Sequence, residues 1–135
     1  MARKTDLMQR NGFCVVGKLG VATGAAMRLG FGFIPDAVYI FNKTNPSHHW
    51  WFRAWGDANC FNDPGTPAVI ASAGISAFAG SMGDASATAD WYLKSDGTFA
   101  NLVALDDVPE GIIIGSNAVL NTASDELYLI AWKNG

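Results

Sequence analysis

Residues 48–55 read HHWWFRAW, with both histidines of the chain beside three of its tryptophans. Imidazole can ligate a metal or act as a general base, while indole stacks on sugars and concentrates at protein contacts. On an extended strand neighbouring side chains project to opposite faces, so His48 and His49 diverge and cannot share one ion. The other soft ligands, Cys14 and Cys60, form no C-x-x-C or H-x-x-x-H spacing with them, and no metal site is expected. The same alternation sets His48, Trp50, Phe52 and Ala54 on one side and His49, Trp51, Arg53 and Trp55 on the other. Trp50 and Phe52 suit an interior. Trp51, Arg53 and Trp55 then form an outward ladder in which the guanidinium can stack on an indole. Three uses of that ladder stay open: a subunit interface, a face covered by a loop such as 73–89, or a sugar-stacking platform. Interface comes first, because Trp and Arg are enriched where proteins meet.

Other chemistry is thinner. Ser76, Ser81 and Ser116 lack a G-x-S-x-G elbow. Asp106, Asp107 and Glu110 cluster in DDVPEG, but oxygen ligands at alternating positions are missing and Pro109-Glu110-Gly111 reads as a solvated turn. GKLGVATG (17–24) lacks the order that cradles phosphate and reads as a hairpin loop. No catalytic residue and no cofactor is expected.

The elements that must position these residues are strands. Val-, Ile- and aromatic-rich runs at 13–17, 26–31, 37–42, 48–55, 68–72, 89–93, 98–105, 111–115 and 126–132 are separated by turn clusters such as NKTNPS, NDPGTP and KSDG. Recurring short runs of this kind predict an all-β fold, an antiparallel β-sandwich of jelly-roll-like form. The small-residue stretch 73–89 is read as a loop. Residues 13–135 form the domain, and 1–12 form a short N-terminal arm whose larger apolar groups are Leu7 and Met8. With 135 residues, the chain has room for one core; 50% of its residues are apolar and 16% charged. A formal charge of −3 gives no field for nucleic acid or an anionic membrane. The basic start, with Arg3, Lys4 and Arg10, is followed by no apolar stretch of the kind a signal peptide needs, and no run of 18 apolar residues occurs. The two cysteines are expected to be reduced thiols.

LGFGFIPDAVYIFNK (29–43) resembles the G-F-x-P-D-x-V-x-x-x-N signature of a β-sandwich module of tailed-bacteriophage virion proteins, found in tail-fibre, baseplate and capsid-associated chains. WWFRAW is similar to the tryptophan-bearing strand that follows it there, GIIIGSNAVLNTASDELYLIAW (111–132) to its C-terminal strand pair, and Gly17 and Gly20 to its opening glycines. The resemblance spans residues 13 to 133 and implies fold-specifying roles for Pro35, Asp36 and Asn121, with no catalytic residues. It implies a structural virion protein made in the host cytoplasm. Because Met1 opens a single module with no fibre shaft, a capsid decoration or cement subunit is expected, acting as a symmetric homo-oligomer, a trimer by preference. Its partners would be the major capsid protein or other virion proteins, met through Arg3, Lys4, Leu7, Met8 and Arg10 of the arm and through Trp51, Arg53 and Trp55. A tail or baseplate module that binds cell-surface carbohydrate through exposed tryptophans is the other reading.

Overall fold

The computed structural model describes residues 14–63, 68–82, 89–102 and 107–134. The arm therefore lies outside the described residues, and with it Arg3, Lys4, Leu7, Met8 and Arg10. The fold is all-β, as expected. Its strands are β1 (Cys14–Leu19), β2 (Met27–Gly30), β3 (Ala37–Asn42), β4 (Ser47–Phe52), β5 (Asn59–Asp63), β6 (Ala68–Phe78), β7 (Ser81–Met82), β8 (Asp90–Leu93), β9 (Phe99–Asn101), β10 (Asp107–Val108), β11 (Gly111–Ile114) and β12 (Leu127–Trp132). Ten of them make one sheet in the order β1-β12-β3-β4-β5-β6-β11-β2-β8-β9, and β10 pairs with β7 apart from it. Pairing is antiparallel except between β2 and β8. The two ends of the large sheet meet where the Lys18 N–H donates to the Gly97 carbonyl at 2.8 Å, so the sheet nearly closes on itself.

The fold over from one leaf to the other happens within β6. Its first residues pair with β5 (Phe61 opposite Val69) and its last with β11 (Ile112 opposite Ala77). Between them Ala73 takes φ +55° and the register shifts, a bulge of the kind that lets one strand serve two sheets. Close backbone approach requires small residues at this corner. A Cβ on Gly74 would lie 2.8 Å from the Ala58 carbonyl oxygen, and one on Gly115 would lie 2.2 Å from that of Ala73. The expected loop over 73–89 is thus corrected: 73–78 is strand, and its Ala, Gly and Ser content reflects crowding at a corner. The rest of that stretch includes β7 and residues outside the described set.

The front leaf (β1, β12, β3, β4, β5 and the start of β6) and the back leaf (the end of β6, β11, β2, β8, β9) enclose one core. Val15, Leu19, Val38, Ile40, Trp51 and Leu129 from the front meet Met27, Leu29, Ile75, Leu93, Ile112 and Ile114 from the back. Alternating burial along β3 and β12 is what a sheet with one dry face dictates. A second, smaller core lies on the outer side of the back leaf. There Phe78, Tyr92, Leu102 and Val108 pack together under the β7–β10 pair. Arg28 holds the place together: its Nε–H donates to the buried Asp90 carboxylate, Nη1 donates to Ser81 Oγ at 2.7 Å, and the guanidinium lies 5.6 Å from the Phe78 ring centre. DDVPEG is therefore more than a solvated turn, since Asp107–Val108 is β10 and Val108 is buried.

Candidate functional surface

β4 does alternate, but in the opposite sense from the sequence reading. Ser47, His49 and Trp51 point inward, and His48, Trp50 and Phe52 point outward. Trp51 is fully buried, its indole N–H donating to the Gly56 carbonyl at 3.0 Å, so its expected role as a partner-binding residue is overturned. The strand also ends sooner than expected. After Phe52 the chain turns through a 3-10 turn at Arg53–Trp55, closed by Gly56 at φ +85°. Arg53 and Trp55 are exposed. Arg53 faces Asp36 at 3.8 Å instead of stacking on an indole, and Trp55 packs edge-on against Phe52 with ring centres 5.1 Å apart.

The inward parity places polar groups in the core. Ser47 Oγ and His49 Nε2 are 3.0 Å apart, and His49 sits opposite Asn62 on β5. Burial, and then the neighbouring His48, lowers the His49 pKa to about 4, so the ring is neutral near pH 7. A serine–histidine pair invites comparison with a nucleophile and its base. His49 Nδ1, however, has no hydrogen-bond partner, and Ser47 is only 4% exposed. Nearby, Asn42 and Asn45 both donate to the buried Asp125 carboxylate, Asn42 at 2.7 Å, which ties the β3–β4 hairpin to the approach of β12. Asn121 does similar work, accepting from Gly24 N–H and donating to the Ala25 and Gly115 carbonyls. Burial pushes the Cys60 thiol up to about 12, and both cysteines are free thiols. Among the described residues, no group of three or more His, Cys, Asp or Glu could hold a metal.

The feature left over is the outer side of the front leaf. Register alone aligns Val16, Ile130, Tyr39, Trp50, Phe61 and Val69 into one outward row across β1, β12, β3, β4, β5 and β6. Val16 is 56% exposed and Val69 67%. Trp132, Ala37 and Phe52 lie in the row on one side, and Tyr128, Phe41 and His48 in the row on the other. The rings touch: Tyr39 and Trp50 at 4.7 Å between centres, Trp50 and Trp132 at 6.1 Å with planes 6° apart. A shallow depression of about 250 Å3 lined by Trp55, Asn59 and Val69 continues the surface at its β6 end. Charges flank the row and are already paired. Lys18 and Lys43 both meet Glu126, at 3.0 and 3.4 Å, and His48 Nε2 meets Asp63 at 3.0 Å. The Lys18 partner keeps the Glu126 carboxyl below its ordinary value, and Glu126 in turn raises Lys18.

Of the residues singled out in the sequence, Arg53 and Trp55 lie at the margin of this surface and Trp51 lies beneath it, while the residues at its centre were not singled out as partner-binding. Tyr39, Trp50, Phe61 and Trp132 each belong to a different strand, and only the register brings them together. Compared with family models, with curated proteins and with solved structures, the chain matches none of them.

Proposed function

We propose that this protein is a structural, non-catalytic subunit of a tailed-bacteriophage particle, a capsid decoration or cement protein that works as a symmetric homo-oligomer. The observation that carries the reading is the half-exposed aromatic row on the front leaf, over which no strand packs among the described residues, in contrast to the back leaf, whose outer side β7 and β10 cover. A monomer seldom exposes a contiguous apolar patch of more than a few hundred Å2 unless something binds there. The likeness of segments 29–43 and 111–132 to a virion module supplies the setting, and the particle supplies many copies of each contact, so modest affinity per subunit suffices. Its partners there are the major capsid protein or other virion proteins, and the arm (Arg3, Lys4, Leu7, Met8, Arg10) is a second attachment. The test is co-sedimentation with undecorated phage heads. Wild-type protein is expected to pellet with them, and deletion of residues 1–10 to abolish pelleting while circular dichroism stays that of a folded chain. No pelleting by the wild type sinks the proposal.

The parallel indoles of Trp50 and Trp132 favour one second reading, a tail or baseplate module that stacks cell-surface sugars. A glycan array separates the two. Signal lost on Trp132→Ala supports the sugar module, and silence supports the structural subunit.

A further inference from the structure

The outward row has a symmetry that bears on its occupant. β3 and β4 lie at its middle, with Ala37, Tyr39 and Phe41 on one strand opposite Phe52, Trp50 and His48 on the other. A two-fold axis running along the strands between β3 and β4, in the plane of contact, would lay each outward β3 residue on the β4 residue of a second copy. Tyr39 then meets Trp50, Phe41 meets the imidazole of His48, and Phe52, 41% exposed, meets the small side chain of Ala37. Further out Ile130 falls near Phe61 and Val16 near Val69, apolar against apolar in each case. Sheet faces pack with their strands about 30° apart, so the central pairs are the ones that symmetry fixes.

Charge points the same way. Lys18 and Lys43 share the single Glu126 and so leave one positive charge, and Asp63 beside His48 leaves one negative charge when histidine is counted as neutral, so these groups sum to zero and give no net field that would select a strongly charged partner. It matches best a face equally neutral, and its own copy is one. Size is adequate: strands of six residues, spaced by about 4.8 Å across β1 to β6, give roughly 500 Å2 in projection and more as accessible surface, near the ~800 Å2 per partner of a stable pair.

We infer that the front leaf is the self-association face of this protein, and that two copies pack through it face to face on a two-fold axis between β3 and β4. This deepens the proposed function by naming the partner of the aromatic surface, and it replaces the three-fold arrangement expected from resemblance with a two-fold one.

Sedimentation velocity tests it with three proteins: the wild type, Tyr39→Glu and Trp50→Lys. Wild type is expected at about twice 14.3 kDa. Each variant alone is expected to associate at least about tenfold more weakly, as for loss of a central aromatic anchor. Mixed in equal amounts the two variants should regain the double mass, because the axis brings the carboxylate introduced on β3 of one copy to the ammonium introduced on β4 of the other. Phe52→Glu, at the exposed end of β4, serves as a second weakening variant should either of these fail to fold by circular dichroism. A wild type that stays monomeric at millimolar concentration overturns the inference, as does a three-copy mass, a dimer indifferent to these substitutions, or a mixture that fails to recover. A monomer that still pellets with phage heads overturns the pairing, and with it the homo-oligomer, and leaves the attachment to the capsid standing.

Discussion

At the scale of single residues, the interior of β4 decides more than its length suggests. A histidine buried in the core resists protonation: burial first and the neighbouring His48 second lower the His49 pKa from 6.5 to about 4, against a smaller opposing pull from Asn62. Between those values the unfolded chain binds the proton and the folded chain does not, so stability is complete above about pH 6.5 and falls as the pH drops toward 4. The linkage amounts to about 3 kcal/mol in all. Urea unfolding at pH 7 and at about pH 4.5 should show most of that loss in the wild type and much less of it in His49→Gln, whatever that variant's stability at pH 7. Equal losses would mean that other groups carry the acid sensitivity. The two tryptophans that simple alternation sets on one face should also separate. Trp51→Ala removes a fully buried indole and its hydrogen bond to the Gly56 carbonyl, and a loss of about 3–5 kcal/mol is expected. Trp55→Ala touches an exposed ring that rests on Phe52, and less than about 1 kcal/mol is expected. Thermal and urea denaturation of the two variants read the difference directly.

At the scale of elements, the strands with aliphatic and aromatic alternation were legible and those built of small or polar residues were not. β3 runs over the residues the sequence assigned to it, because Val38 and Ile40 alternate with Tyr39 and Phe41 between clear turns. β5 (NCFND) reads as a turn, since Asn and Asp favour turns when nothing else is known. Its Asn62 faces inward opposite His49, and its Asn59 amide donates to the Trp55 and Asp57 carbonyls, roles that exist only once β4 is beside it. The parity of β4 was equally hidden: each side of HHWWFR carries one histidine and one tryptophan, and the remaining pair, Phe52 against Arg53, points the wrong way because the strand ends at Phe52 and Arg53 belongs to the turn that follows. The corner in β6 was misread for the converse reason, that steric necessity there selects residues with no strand signature. That necessity is testable. Gly115→Ala would force a methyl group into the Ala73 carbonyl and is expected to cost several kcal/mol, about 3 or more, or to prevent folding, whereas at Gly20 nothing lies within 4 Å and Gly20→Ala should change stability by less than about 1 kcal/mol. Soluble yield and urea midpoints of the pair would show it, and comparable behaviour would mean that β6 bends differently.

For the whole molecule, the two leaves differ in what lies over them, and that difference sets the kind of association to expect. The back leaf's outer side is dry beneath β7 and β10, with Arg28 and Asp90 paired against its small core. The front leaf's outer side leaves Val16, Val69 and Phe52 exposed to solvent, while the charges around it are mutually neutralised. Apolar burial is nearly indifferent to ionic strength, whereas attraction between opposite charges weakens as the Debye length shrinks from about 30 Å at 0.01 M salt to about 3 Å at 1 M. A self-association constant measured by sedimentation between 0.05 and 0.5 M sodium chloride (about that range being enough to screen surface charges) is therefore expected to hold within roughly threefold. Calorimetric dilution should give a negative heat-capacity change on association, the mark of apolar surface leaving water. A steep fall of affinity with salt would mean that charge holds the copies together, and the contact would then have to be sought away from the Tyr39–Trp50 row.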